Sequence, residues 1–157
     1  MRRDVMVGGV GALVLIGLGL VLWPEDATGQ PGQILRWQDP EVVAEGAVLY
    51  DQFCAACHGA DLEGQPNWRE VNENGRLPAP PHDVTGHTWH HADALLIDIT
   101  TRGTAAVVGR GYESDMMGFG GVMTEGEIIA VLSFIKSTWP TEVIEAHDEL
   151  NAMSALE

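Results

Sequence analysis

Both cysteines of this 157-residue chain lie in one short segment, the CAACH stretch of residues 54–58. Two thiols three positions apart, with a histidine directly after the second, are typical of a covalent attachment site for c-type haem. On a helix, positions i, i+3 and i+4 share one face, so Cys54 and Cys57 can reach the two haem vinyl groups while His58 turns its imidazole toward the iron. The spacing therefore predicts one haem c, bound covalently through Cys54 and Cys57, with His58 as the proximal ligand.

Three other interpretations of the two cysteines fit less well. A thioredoxin-like redox pair belongs in a βαβ context, and the histidine would then be incidental. A structural zinc site needs four ligands, and the sequence has no second Cys/Cys or His/His pair at finger spacing. A disulfide would have to close a very small loop on a helix, where the two side chains are poorly placed to meet.

The N-terminal stretch of residues 5–23 contains no charged residue and is close to the roughly 20 residues that cross a bilayer as a helix. Arg2 and Arg3 precede it, which predicts that the N-terminus stays inside. A cleaved signal peptide is the alternative, because residues 27–29 are small, but the apolar run exceeds the roughly 7 to 15 residues of a signal peptide. We expect a retained single-pass anchor in the cytoplasmic membrane, with the haem domain on the periplasmic side.

The chain is strongly acidic, with 23 acidic and 8 basic residues and a formal charge of −15 at pH 7. Without Arg2, Arg3 and Asp4, the exported part keeps 22 acidic and 6 basic residues and a charge of −16. Such a surface repels nucleic acid and anionic lipid, so nucleic acid is excluded as a partner. No cysteine outside the motif is left to mispair in an oxidising compartment.

The motif lies at the end of a predicted helix. Asp39 before Pro40 is an N-cap followed by proline at the first helical position, where its missing N–H costs nothing. Apolar residues recur at helical spacing from Val42 to Cys57, which places the haem motif on the apolar face. Gly46 interrupts this face at a cost of about 1 kcal/mol relative to alanine, so we expect another helix to cross closely there.

Residues 124–138 form the expected crossing partner. Thr124 and Glu127 have the spacing of a capping box. A shorter helical segment spans residues 91–102, and no strand alternation is convincing. The sequence thus predicts an all-α protein with four parts: a membrane anchor (1–23), a linker (24–39), a haem domain (40–140) and an acidic C-terminal tail (141–157).

Three segments of the predicted haem domain resemble parts of a class I cytochrome c. GAVLYDQFCAACHG resembles the N-terminal helix of that family, and SFIKS resembles the end of its C-terminal helix, with Phe134 as the packing aromatic. SDMMGFGG resembles the loop that carries the distal ligand. The resemblance implies a cytochrome c fold, in which the N- and C-terminal helices cross over a covalently bound haem.

The distal ligand follows from the same resemblance. Aligning Phe119 with the phenylalanine of the family's Met-Pro-x-Phe motif makes Met116 the axial ligand and puts Met117 in the proline position. Met116 lies in a glycine-rich loop that can approach the haem closely, and Met117 is either a packing residue or an alternative ligand. A thioether opposite an imidazole raises the reduction potential and leaves the iron to outer-sphere electron transfer.

Two further haem contacts are implied. Residues 77–81 resemble the family's proline segment, in which a backbone carbonyl accepts the N–H of the proximal histidine, and Pro80 is the candidate. An ordinary rigid loop is the alternative for these prolines. Trp89 is the candidate donor of an indole N–H to a haem propionate, as a tryptophan does in related cytochromes.

We therefore predict a membrane-anchored mono-haem electron-transfer protein, not itself an enzyme, whose redox partners are a membrane oxidase, a dehydrogenase or another cytochrome. One alternative is a haem-bearing subunit of a larger oxidase or dehydrogenase complex. A second alternative is a copper-handling or redox-sensing protein that uses Met116, Met117 and the histidines His87, His90 and His91. These histidines have metal-like spacing, although surface histidines near a helix start are more often caps or propionate partners.

Overall fold

The computed structural model describes residues 31–156, and the regular structure in this part of the chain is helical. In chain order the elements are α1 (Pro40–Phe53), α2 (Ala55–His58), a 3-10 helix (Thr88–His90), α3 (Asp93–Arg102), α4 (Thr104–Val108), α5 (Glu125–Ser137) and α6 (Thr141–Ser154). Within these residues there is no strand, only an isolated bridge between Gly103 and Met117. The predicted all-α class is confirmed.

Helix α1 begins where the sequence predicts. The Asp39 side chain accepts hydrogen bonds from the backbone N–H groups of Glu41 and Val42, and Pro40 takes the first helical position. The helix does not run unbroken to the second cysteine, because Cys54 has φ of −117° and separates α1 from α2. The haem motif therefore occupies a short helical turn of its own.

Helices α1 and α5 cross at Gly46, as predicted. A Cβ atom at Gly46 would lie 2.0 Å from the carbonyl oxygen of Ala130, so only glycine permits this approach. The rings of Tyr50 and Phe134 pack across the crossing with centroids 5.5 Å apart. Thr124 forms the predicted capping box with Glu127 at the start of α5.

The hydrophobic core surrounds this crossing and draws on α1, α3, α5 and α6. Its buried members are Leu35, Tyr50, Leu62, Leu96, Met123, Ile128, Val131, Leu132, Ile135, Trp139, Val143 and Ile144. Burial of apolar side chains is the main stabilising contribution to such a fold. The core thus holds the crossing that carries the haem motif.

Residues 34–36, which the sequence assigns to the linker, are bonded to the domain. The carboxylate of Asp93 is fully buried and accepts the backbone N–H groups of Ile34 and Leu35 at 2.7 and 2.9 Å. Its other oxygen accepts the side-chain N–H of Asn151 at 2.9 Å. One carboxylate at the start of α3 therefore joins this segment to α6.

Helix α6 is formed by residues that the sequence assigns to an acidic tail. It buries Val143 and Ile144 in the core, so it is packed on the domain. Its His147 donates an Nε2–H to the carbonyl oxygen of His91 at 2.9 Å, and its Asp148 pairs with the buried Lys136 of α5. The segment that was predicted as an acidic tail therefore forms an amphipathic helix.

In the part of the chain that the structure describes, no helix is long and apolar enough to cross a membrane. The predicted anchor, residues 5–23, lies outside the described residues.

Candidate functional site

The two cysteines and the histidine of the motif lie on one backbone turn. The N–H groups of Cys57 and His58 both donate to the carbonyl oxygen of Cys54, at 3.1 and 2.9 Å. Both thiols are free, with Cys54 half-buried and Cys57 exposed. Burial, with a smaller contribution from Cys57, raises the pKa of the Cys54 thiol to about 11. The two thiols are thus available on one turn, one facing the interior and one the surface.

His58 is buried and its ring orientation is fixed by a backbone carbonyl. Its Nδ1 lies 2.8 Å from the carbonyl oxygen of Pro80, 22 residues along the chain. A carbonyl can only accept, so Nδ1 carries the proton and Nε2 keeps its lone pair. Burial lowers the pKa of His58 and so favours the neutral ring, whereas the Pro80 hydrogen bond has a smaller effect in the opposite direction. His58 therefore presents a neutral Nε2, the form that binds iron.

The segment that carries Pro80 is held against the residues that follow the motif. Gln65 donates its backbone N–H to the carbonyl oxygen of Ala79 at 2.8 Å, and its side-chain oxygen accepts the N–H of Ala79 at 3.0 Å. The hydroxyl of Tyr50 in α1 donates to the carbonyl oxygen of Gly59 at 2.9 Å, which ties the end of α2 to α1. These bonds fix both sides of the contact between His58 and Pro80.

The two adjacent methionines differ in exposure. The side chain of Met117 is 67% exposed, whereas Met116 is half-buried. The loop around them is bonded to the C-terminal end of α3, since Phe119 donates its N–H to the carbonyl oxygen of Thr100 at 2.9 Å. A Cβ atom at Gly118 would lie 2.6 Å from the carbonyl carbon of Arg102, so the loop is pressed onto α3.

Trp89 lies in the 3-10 helix and is partly buried. Its indole N–H points at the carbonyl oxygen of Val84 at 3.4 Å, a long hydrogen bond, and its ring stacks on His90 with centroids 3.6 Å apart. The assignment of Trp89 to a haem propionate stays a prediction.

The other histidines of this stretch pack against aromatic neighbours. The His87 ring stacks on Trp68 at 5.3 Å and meets the edge of His91 at 5.2 Å. Burial lowers the pKa of both His87 and His91. Across residues 31–156, no group of three or more His, Cys, Asp and Glu side chains is arranged to hold a metal ion.

A residue that the sequence analysis did not single out lies directly against the candidate iron ligand. The ring of His82 stacks on the ring of His58, with centroids 4.0 Å apart and planes 23° apart. Burial holds the pKa of His82 well below its usual value. The sequence gives one indication of this contact, which is that His82 follows Pro80 by two residues. A segment whose Pro80 carbonyl bonds to the His58 ring also brings the residues next to Pro80 close to that ring.

The donors brought together here fit a covalently bound haem. Two free thiols stand on one turn, and the adjacent His58 has Nδ1 occupied and Nε2 free. These are the groups that two thioether bonds and one axial iron–nitrogen bond require. Cys54, Cys57 and His58 would hold the group on one side, and Met116 is the candidate for the other side.

Comparison with known proteins finds a family model and several relatives. The family model described as Cytochrome c matches residues 43–139. The chain is 25% identical over 104 residues to the cbb3-type cytochrome c oxidase subunit FixP of Azorhizobium caulinodans, covering 64% of this chain and 32% of that protein. It is 36% identical over 59 residues to the subunit CcoP of Rubrivivax gelatinosus, covering 38% and 19%.

A second CcoP subunit, from Azospirillum brasilense, is 29% identical over 105 residues, covering 59% of this chain and 34% of that protein. The matched region thus spans about a third or less of the length of these curated relatives. No solved structure matches the chain.

Proposed function

Because the chain belongs to the cytochrome c family, which binds covalently attached haem c, we propose that it is a membrane-anchored carrier of single electrons between redox partners on the periplasmic side. The observation that best supports this proposal is the difference in solvent exposure along the motif. Cys57 is exposed, whereas His58 on the same turn is 6% exposed. One attachment point therefore lies at the surface, where a partner can dock, while the iron ligand is shielded from water.

When bound, the haem supplies a one-electron redox couple. The residues around it determine whether the iron could also bind a substrate. His58 offers a neutral Nε2 whose position is fixed by Pro80. Met116 lies half-buried in a loop that is bonded to the end of α3. His58 and Met116 would hold the iron from the protein side, and a haem held by two protein ligands would favour outer-sphere electron transfer over binding of a substrate.

A second candidate is a haem-bearing subunit of a terminal oxidase. The three relatives above are named as cbb3-type cytochrome c oxidase subunits. They are about three or more times longer than the region they share with this chain. A haem domain of the kind found here suits either a free carrier or a subunit of such an oxidase.

Purification from native membranes in mild detergent separates the two candidates. A carrier elutes as a small haem protein that is reduced and reoxidised by separate partners. A subunit elutes with large membrane proteins at a fixed ratio. A haem protein whose reduced form binds carbon monoxide stoichiometrically without any substitution would contradict both, since it would have an open iron position.

The anchor has its own test. If residues 5–23 remain in the membrane, the protein resists alkaline extraction, and its mass is that of the full chain plus one haem. A soluble product that begins near Gln30 would show a cleaved signal peptide instead. Deletion of residues 1–23 behind a cleavable signal is the matched control, because it should yield a soluble protein with the same visible spectrum.

A further inference from the structure

The imidazole of His82 lies flat against the imidazole of His58. The ring centroids are 4.0 Å apart and the planes differ by 23°, which is close to parallel stacking. The hydrogen bond from Nδ1 to Pro80 holds one atom of the His58 ring but still allows the ring to tilt about that bond. A flat neighbour at van der Waals distance opposes that tilt, because the rings would collide.

His82 is itself held from several directions. Its Nδ1 lies 2.8 Å from the hydroxyl of Thr88, in the 3-10 helix. Its backbone N–H donates to the carbonyl oxygen of Leu62 at 2.8 Å, and its own carbonyl oxygen accepts the indole N–H of Trp139 at 2.8 Å. The Tyr50 ring meets the His82 ring edge-on at 6.1 Å. Because these contacts fix the position of the His82 ring, the ring can restrain a neighbouring ring.

We propose that His82 is a positioning residue that sets the plane of the His58 imidazole, and that Thr88 holds the His82 ring in place. The proposal rests on the assignment of His58 as the iron ligand. The plane of an axial imidazole determines how the iron orbitals split, so a change in that plane alters the magnetic spectrum of the oxidised protein even when the ligands are unchanged. The relevant feature of His82 is its flat shape, not its charge.

The sharpest comparison is between His82→Phe and His82→Leu in the mature haem protein. Both variants remove the ring nitrogens and the bond to Thr88, and both fill the space with an apolar side chain. Only phenylalanine offers a flat surface to His58. We expect His82→Phe to keep the electron paramagnetic resonance g-values and the positions of the paramagnetically shifted haem methyl signals near those of the wild type, although the signals broaden without the bond to Thr88. We expect His82→Leu to shift both.

Thr88→Val tests the tether, since valine has nearly the shape of threonine without its hydroxyl. We expect it to broaden the same signals, because the His82 ring gains freedom while remaining present. His90→Leu is the matched control: it removes a histidine of the same stretch that stacks on Trp89 and is exposed. That variant should leave the magnetic spectra unchanged.

The outcomes are distinct. Equal spectra for His82→Phe and His82→Leu, or a change in His90→Leu as large as that in His82→Leu, would overturn the positioning role. A wild-type spectrum without the signature of histidine and methionine ligands would instead contradict the proposed function, before any variant is compared. If His82→Leu does not mature, the other two variants still test the proposal. A sharp and unchanged spectrum for Thr88→Val would reject the tether, and shifted signal positions in His82→Phe would reject the role of a flat ring.

Discussion

At the scale of single residues, the two candidate axial ligands are held with different firmness. His58 is buried, and both its ring nitrogen and its ring face have partners in Pro80 and His82. The loop of Met116 is fixed mainly by its backbone, including the bond from Ser114 Oγ, which accepts the N–H of Met116 at 3.1 Å. We therefore expect Met116 to be lost as a ligand before His58.

The choice between the two methionines is tested by substitution. Met116→Ala should lower the reduction potential and let carbon monoxide bind the reduced iron, because it removes the thioether. Met117→Ala is the control and should do little, since that side chain is 67% exposed. Potentiometric titration and carbon monoxide difference spectra measure the two effects. Equal effects in the two variants would refute the assignment of Met116.

Asp93 is the buried carboxylate on which the packing of the N-terminal segment depends. It is 0% exposed and accepts the N–H groups of Ile34 and Leu35 and of the Asn151 side chain. Asp93→Ala leaves these donors buried without a partner, so we expect the free energy of unfolding to fall by roughly 3 kcal/mol. Urea titration followed by circular dichroism measures it.

The matched control for Asp93 is Asp98→Ala on the same helix. Asp98 is exposed and pairs only with Arg102. Removing an exposed ion pair changes stability far less than leaving buried donors unpaired. Similar losses in the two variants would show that α3 is sensitive to any change and that the Asp93 bonds carry no special weight.

At the scale of helices, the crossing of α1 and α5 depends on the missing side chain at Gly46. Alanine there would place its Cβ 2.0 Å from the carbonyl oxygen of Ala130 and 2.9 Å from the Cβ of Phe134. We expect Gly46→Ala to lower the free energy of unfolding by roughly 2 kcal/mol, because the overpacking cost exceeds the gain of about 1 kcal/mol in helix propensity.

Gly126→Ala is the control for Gly46→Ala and should change the free energy of unfolding in the opposite direction. Gly126 lies in the first turn of α5, and a Cβ atom there would meet nothing within 4 Å. Without a clash, only the propensity difference remains, so stability should rise by up to about 1 kcal/mol. Chemical denaturation of both variants checks the pair. A stabilising Gly46→Ala would mean that the helices are not in close contact at this point.

The docking of α6 has a pH dependence. His147 is buried between Asp93 of α3, Lys136 of α5 and Asp148 of α6. Burial, and then the charge of Lys136, lower the pKa of His147 in the folded protein. The folded state therefore favours the neutral ring. The contribution of His147 to the free energy of unfolding is complete above its pKa in the unfolded state, about 6.5, and is lost as the pH falls below that value.

We expect His147→Gln to lose less stability than the wild type between neutral pH and about pH 5, because glutamine can still donate to the His91 carbonyl oxygen but does not titrate. Denaturant titrations at several pH values measure the difference. His90→Gln, at the exposed surface, is the control and should keep the wild-type slope. Parallel stability curves for His147→Gln and the wild type would contradict this role.

At the scale of the whole molecule, the dominant feature is negative charge. The part of the chain after the predicted anchor carries −16, and its only basic residues are Arg36, Arg69, Arg76, Arg102, Arg110 and Lys136. Arg36, Arg76, Arg102 and Lys136 already pair with carboxylates of the same chain. The domain thus cannot present a ring of free lysines, and we expect its partner to offer a basic surface around the exposed edge of the site.

Salt dependence of electron transfer tests this expectation. Attraction between opposite charges speeds encounter, so added salt should slow the bimolecular rate with the native acceptor. Most of the effect should appear below about 0.15 M, where the Debye length falls to about 8 Å. Stopped-flow mixing at several ionic strengths measures it. A rate that is flat or rises with salt would show that docking is apolar and that the acidity serves solubility.

Local chemistry explains what could be predicted from the sequence. The caps at Asp39 and Thr124 bond to residues within three positions, and both are present as expected. The crossing at Gly46 was also predictable, since a glycine inside an apolar helical face has few other uses. The donor set of residues 54–58 depends only on spacing within one turn. Such features need no knowledge of the path of the chain.

The sequence by itself determined the helical class, the attachment motif and the family resemblance, because each depends on residues close together in the chain. The tertiary structure decided which distant groups meet. It placed the carbonyl of Pro80 on His58, set His82 against the same ring, and bonded Leu35 to Asp93 across 58 positions. Such contacts depend on the course of the loops between them, which no local pattern fixes.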